Sequence, residues 1–215
     1  MERKGKLALF DMDQTLVESD FAWAEAFMEY ADHKGFERPE EFRDQFYEKD
    51  FEHLLERIIE RHPEESRYTI FERVADLAMV SYRERVELRS GAAEIVETMR
   101  RAGYIAAVLT ANNPRLSEVA RERFQEILGI DHWYCAQALG MSKADSAIYD
   151  FLSDLHGIDK SSFVLFDDAS YAVETAYEAG IKVIKIYNPR DCRKKEGFPY
   201  PVLESLHEFD LSMIE

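Results

Sequence analysis

One local event, repeated along the chain, constrains its fold most: a short, wholly apolar run that stops abruptly at polar or acidic residues. Leu7-Ala8-Leu9-Phe10 stops at Asp11-Met12-Asp13, Tyr104–Leu109 at Thr110-Ala111-Asn112-Asn113, and Phe163–Phe166 at Asp167-Asp168. Runs without polar alternation are strands covered on both faces, the signature of a parallel sheet. Lys182–Ile186, ending before Asn188-Pro189, and His132–Cys135 read as further strands.

Helical patterns fill the intervals. Ala92, Ile95, Val96 and Met99 recur at i, i+3, i+4, i+7 before Gly103. Asn113-Pro114 reads as an N-cap followed by proline at the first helical position, opening a helix that carries Leu116, Val119, Ala120, Phe124 and Ile127 and stops at Gly129. Ile148, Phe151, Leu152 and Leu155 mark another helix before Gly157, and Val173, Ala176 and Ala179 a shorter one before Gly180. Alternation of this kind predicts βαβ units and an α/β fold with a Rossmann-like parallel sheet.

Residues 17–88 break the rhythm, with at least three helical patterns and no convincing strand. Phe51, Leu54, Leu55, Ile58 and Ile59 form the clearest pattern; Trp23, Phe27, Tyr30 and Ala31 precede it, and Phe71, Val74, Ala75, Ala78 and Tyr82 follow. The expected organisation is an α/β core of residues 1–16 and 89–215 with an all-helical subdomain, 17–88, inserted after the first strand.

Charge narrows the classes of partner. With 27 Lys plus Arg against 43 Asp plus Glu, the net charge is -16, a surface that repels phosphodiester backbones and anionic lipid. Arg3-Lys4 with Lys6, Arg100-Arg101 and Arg193-Lys194-Lys195 read as solvated surface, so neither a nucleic acid nor a membrane is an expected partner. Tyr104–Leu109 is the longest apolar run, far below the roughly 20 residues that span a bilayer, and the apolar stretch before Asp11 is too short for a secretory signal. Cys135 and Cys192 make neither a disulfide framework nor a metal site, so a reducing, cytoplasmic setting is expected. The oligomeric state is open, and a monomer is compatible with the sequence.

Ligands bind outside the carboxyl ends of parallel strands. Here those ends carry Asp11 and Asp13, Thr110, and Asp167 and Asp168, with Lys143 between the second and third. These are parts for phosphoryl transfer: carboxylates for a hard divalent cation, a lysine and a hydroxyl for phosphate oxygens, and a nucleophile. Each also has an ordinary role, as turn residue, strand-end threonine, surface lysine or helix cap. A calcium loop starting at Asp11 fails because Thr15 and Leu16 stand where Asp or Asn and then Gly are needed. Only the shared position at strand tips lifts the set above coincidence.

The sequence resembles the haloacid dehalogenase-like superfamily. Leu-Ala-Leu-Phe-Asp11-Met12-Asp13-Gln14-Thr15 matches its strand followed by Asp-x-Asp-x-Thr; Ala-Ala-Val-Leu-Thr110, Lys143 and Phe-Val-Leu-Phe-Asp167-Asp168 match its other three motifs, and the helical insert resembles its C1 cap. The resemblance implies a phosphatase in which Asp11 is the nucleophile, Asp13 the acid and base, and Thr110, Ala111 and Lys143 hold the phosphoryl group. It implies Mg2+ on Asp11, the Asp13 carbonyl and Asp168, with Asp167 close by, and a small phosphorylated metabolite as substrate. Three departures stand out: Gln14 at a usual glycine, Ala144 at a usual proline, and Ala172 where many members place a further Asp or Asn.

Asp13 argues against a dehalogenase, whose leaving halide needs no proton, and the lack of lysine over 17–33 argues against a Schiff-base phosphonatase. Trp23 stands where beta-phosphoglucomutases have a histidine; a mutase stays an alternative, as does a binding protein without turnover. The receiver-domain order of these groups does not fit. Asp20 falls where phosphoserine phosphatases meet the substrate amine, or caps the following helix; Trp23 is a substrate wall or cap packing. Arg57 and Arg61 read as ordinary surface residues.

Overall fold

The computed structural model describes residues 5–48, 51–191 and 197–215, so Arg3, Lys4, Cys192 and Arg193-Lys194-Lys195 lie outside the described residues, as does the side chain of Phe51. Tertiary contacts divide the chain into two compact units, Met1–Glu18 with Leu88–Glu215, and Ser19–Glu87.

The first unit is built on β1 (Leu7–Phe10), β4 (Ile105–Thr110), β5 (His132–Cys135), β6 (Phe163–Asp167), β7 (Lys182–Ile186) and β8 (Val202–Leu203). They form one sheet in the order β5-β4-β1-β6-β7-β8, all pairs parallel. All residues of β1 and β6 are buried, as unalternating apolar runs require. From β1 the chain winds outward through β4 and β5, then restarts on the other side with β6, β7 and β8. That reversal places a ligand crevice beside the tips of β1, β4 and β6. Register aligns those tips: Phe10 pairs with Val108 on one side and Phe166 on the other, and the Phe10 and Phe166 rings stack at 4.7 Å.

The flanking helices are α5 (Ala92–Arg101), α6 (Pro114–Leu128), α7 (Ala147–His156) and α8 (Ser170–Glu178). The α6 start follows expectation: Asn113 Oδ1 accepts from the Arg115 N–H at 3.0 Å, Pro114 opens the helix, and Gly129 closes it at φ 67. Two buried faces differ from the sequence reading. Ile127 is exposed, because α6 buries Leu128 instead. In α7 Phe151 and Leu155 are exposed while Ile148, Tyr149, Leu152 and Ser153 face inward. Leu7, Leu9, Leu109, Tyr149, Leu152 and Leu165 belong to one core cluster, so Tyr149, a large ring, wins the interior over Leu155.

The second unit holds α1 (Asp20–His33), α2 (Glu40–Glu48), α3 (Phe51–Arg61) and α4 (Arg67–Glu84). Among the described residues the span 17–88 thus holds four helices, where at least three patterns are read; α2 is the one that no pattern marks. The span also has two strands that the reading excluded, β2 (Val17–Glu18) and β3 (Glu87–Leu88), too short for any periodicity to mark. Trp23 stacks on Phe71 at 5.5 Å and its indole N–H donates to the Tyr82 hydroxyl at 2.9 Å, inside this unit. Ser19, not Asp20, is the N-cap of α1; Asp20 is its first residue.

Arg57 and Arg61 are more than ordinary surface residues. The Arg57 guanidinium lies 4.3 Å from the Phe42 ring centre and donates to Gln45 at 2.6 Å. Arg61 covers Phe36 at 4.8 Å and donates to the Gly35 carbonyl at 2.9 Å. Each closes an aromatic ring against water while its charge is met locally. Arg100 and Arg101 are met as well, Arg101 by Glu97 at 2.7 Å and Arg100 by Asp131 at 3.8 Å. No helix among the described residues is long and apolar enough to cross a membrane.

Urea unfolding separates the two faces of α7. Leu152→Ala is expected to cost about 2–5 kcal/mol by opening a cavity, and Leu155→Ala less than about 0.5 kcal/mol.

Candidate active site

The site begins where β1 runs out of apolar residues. The Asp11 N–H donates to the Phe166 carbonyl at 2.8 Å, extending the β1–β6 ladder by one residue and fixing Asp11 beside Asp167. The chain then turns tightly: Leu16 N–H and Val17 N–H both donate to the Met12 carbonyl, at 2.9 and 3.0 Å, and Gln14 N–H to the Val17 carbonyl at 2.8 Å. This turn forces Gln14 to φ 57, the left-handed region, the one non-glycine so placed among the described residues. The sequence departure at Gln14 therefore carries a steric cost of about 1–2 kcal/mol relative to right-handed backbone. The Arg89 guanidinium, donating to the Gln14 carbonyl, holds the turn.

Lys143 is the centre of the site. Its ammonium lies 2.5 Å from Asp11 Oδ1 and 2.7 Å from Asp167 Oδ2, with its side chain only 2% exposed. Asp167 is fully buried, and its other oxygen accepts from the Ala169 N–H at 2.8 Å. Asp168 is half-buried and accepts from Asn188 Nδ2 at 2.5 Å. Asp13 is half-buried, with Oδ2 accepting from Asn112 Nδ2 at 2.6 Å. Thr110 is buried, its Oγ1 accepting from the Asn112 N–H at 3.1 Å, and Ala111 is exposed just beyond it.

Burial and crowding set the electrostatics. Burial raises the Asp11 carboxyl well above the usual range; Lys143 opposes this, and Asp167, Asp168 and Asp13 add to it by repulsion. Burial alone would depress the Lys143 ammonium, but Asp11 and Asp167 more than offset it and hold the lysine protonated. One buried ammonium thus serves a cluster with a surplus of carboxylate. The set fits a hard divalent cation: Asp11, Asp167 and Asp168 each offer a carboxylate oxygen, all within 4.8 Å of one another. The Asp13 carboxylate is not part of that group and bonds Asn112 instead.

The structure brings Asp11, Asp13, Thr110, Asp167 and Asp168 to neighbouring strand ends of the first unit and Lys143 onto Asp11 and Asp167 from the turn before α7, whereas Asp20 and Trp23 belong to the second. The sequence reading did not single out Asn112, Asn188 and Lys185, which bond to Asp13 and Asp168, or Asp191, which bonds to Lys185. Asn112, two residues after Thr110, was within its reach. The other three lie on or after β7, where no motif marks them.

The family model for haloacid dehalogenase-like hydrolases matches residues 8–186. The chain belongs to this family. Solved structures share the fold of this hydrolase over nearly its whole length at low identity. A predicted phosphoglycolate phosphatase from Haemophilus somnus superposes with a TM-score of 0.73 at 17% identity, covering 94% of this chain and 95% of that one. A mutant of CbbY from Rhodobacter sphaeroides, in complex with xylulose-(1,5)bisphosphate, gives 0.73 at 19% identity, covering 99% and 100%. A hydrolase of the same family from Deinococcus radiodurans, with bound phosphate and sodium, gives 0.68 at 20% identity, covering 99% and 96%.

Lys143→Met in this hydrolase strips the cluster of its ammonium, with an expected loss of about 3–5 kcal/mol at pH 8 in chelator. The loss shrinks toward pH 5. The raised Asp11 pKa means the folded state holds a proton more tightly than the unfolded chain. Its stabilising contribution is therefore full below about 3.8 and fades as pH rises through the folded value. Urea unfolding of the variant at both pH values checks this, and an equal loss at each contradicts it.

Proposed function

We propose that this hydrolase is a Mg2+-dependent phosphatase acting on a small phosphorylated metabolite through an aspartyl-phosphate on Asp11. The observation that carries the reading is Lys143 bridging Asp11 and Asp167 at adjacent strand tips, with Asp168 beside them. A phosphate monoester dianion cannot approach such a cluster unless its charge is offset. Asp11, the Asp13 carbonyl and Asp168 would hold Mg2+, which would supply that offset and neutralise charge developing on the phosphoryl oxygens.

The protein's own groups then carry the steps. Lys143 occupies Asp11 Oδ1, which leaves the second oxygen to attack phosphorus. The bond from phosphorus to the ester oxygen breaks, and the leaving oxygen takes the proton of Asp13. Asn112, donating to Asp13 Oδ2, orients that carboxyl. In the second half Asp13, now ionised, removes a proton from water, which attacks phosphorus and releases phosphate and the Asp11 carboxylate. The Thr110 hydroxyl, the Ala111 N–H and Lys143 hold the transferring group.

The phosphate in the Deinococcus relative and the bisphosphate in the Rhodobacter one support a phosphorylated small molecule as substrate. We assign residues 19–87 to a C1-type cap that selects it. Trp23, stacked and hydrogen-bonded within its own unit, fits packing there; Asp20 remains a cap-side candidate for substrate contact. A reducing, cytoplasmic setting accords with Cys135 as a free thiol donating to the Asn112 carbonyl at 3.3 Å.

Phosphate release from a panel of phosphomonoesters, with Mg2+ and with chelator, is the test, and absence of Mg2+-dependent release overturns the proposal. Asp11→Asn is expected to lower turnover about 10⁴-fold or more while leaving the circular dichroism spectrum intact. Asp168→Ala is expected to raise the Mg2+ concentration for half-maximal rate more than Asp167→Ala does. Both Asp167 oxygens already hold bonds, to Lys143 and Ala169, and Asp167 has no exposed surface.

A further inference from the structure

A lysine buried in the middle of a strand calls for an account, because a charged side chain in that position is stable only when paired. Lys185 lies on β7 in register with Asp167, its side chain 4% exposed. Its ammonium donates to the main-chain carbonyl of Asp168 at 2.7 Å and to Asp191 Oδ2 at 2.6 Å. The same Asp191 oxygen accepts from the Ser170 N–H at 3.2 Å and from the Ser170 hydroxyl, at the first residue of α8. Asn188, buried just after β7, donates to Asp168 Oδ2 at 2.5 Å, while its own Oδ1 accepts from the Arg190 N–H at 2.9 Å.

These bonds converge on one residue and the turn that follows it. Lys185 holds the carbonyl of Asp168, Asn188 holds its carboxylate, and Asp191 ties down Ser170 two residues on. Charge is balanced within the arrangement, since Lys185 and Asp191 neutralise each other. It therefore adds stiffness to the site without adding net attraction for a cation.

We propose that Lys185, Asn188 and Asp191 are positioning residues that clamp Asp168 in place for the divalent cation, so that β7 and its outgoing loop set the metal affinity of the site. This rests on the reading of Asp168 as a metal ligand. Groups that orient a ligand from behind govern affinity nearly as strongly as the ligand itself, with typical losses of 10–100-fold on removal. Here the clamp acts on a carboxylate at the more open side of the cluster. Asp167, by contrast, is already held by Lys143 and the Ala169 N–H.

The test is Mg2+ binding to the full chain by calorimetry, in buffer stripped of metal, with urea unfolding alongside. Lys185→Met alone strands the Asp191 carboxylate and is a poor probe. The paired change Lys185→Met with Asp191→Leu removes both charges, and buried pairs exchanged this way generally keep their fold. That double variant and Asn188→Ala are each expected to weaken Mg2+ binding about 10–100-fold while remaining folded. In an Asp168→Ala background, Asn188→Ala is expected to cause no further loss, because its action passes through Asp168. Wild-type affinity in both clamp variants, with loss of binding in Asp168→Ala, overturns the clamp and leaves the metal site standing. Wild-type affinity in Asp168→Ala overturns the reading beneath it, and the clamp with it.

Discussion

A single ammonium between two buried carboxylates holds this site together before any metal arrives. Lys143 bridges Asp11 and Asp167, which belong to adjacent strands and are brought together by the β1–β6 pairing. Without that cation the ladder would press like charges together at its end, in surroundings too dry to screen them. With it, the sheet tolerates a surplus of negative charge at the C-terminal ends of its central strands, which attracts a divalent cation and repels a phosphate group until that charge is offset. Stability and chemistry share one contact.

Much of this was legible in the sequence because the parallel sheet writes itself plainly. Strands buried on both faces leave uninterrupted apolar runs, and the polar residue that ends each run marks the ligand side. Asp11, Asp13, Thr110, Asp167 and Asp168 could be read this way, and Lys143 joined them by lying between the second and third tips, a place the family resemblance then matched. What escaped has physical reasons. The two-residue strands β2, β3 and β8 are shorter than any period. In α7 both faces are apolar, so spacing alone could not choose between Tyr149 and Leu155. Lys185 drew no comment within the strand Lys182–Ile186, yet it is buried. Its partners Asp191 and Asn188 sit in an irregular loop whose geometry no motif encodes.

The acid-rich helical segment illustrates the same limit. Arg57 and Arg61 sit among many charges, and nothing in the sequence separates a solvated arginine from one laid over a ring. Their stacking on Phe42 and Phe36 depends on which helix faces meet, which is decided by tertiary packing. Gln14 is the converse case. The sequence flagged a residue where glycine is usual, and the structure shows the backbone keeping the glycine-like conformation regardless, steadied by Arg89.

The strand order has a kinetic corollary. β1 lies between β4 and β6, so the first residues of the sheet pair with partners roughly a hundred and a hundred and fifty positions downstream. Such closures cost chain entropy before they return any contact energy, which makes folding of this unit slow relative to a local helical bundle. Until Phe163–Asp167 is in place, β1 has an open edge. A chain truncated before β6 lacks Asp167 and Asp168, and with them the Lys143 bridge to Asp167 and the three-carboxylate group.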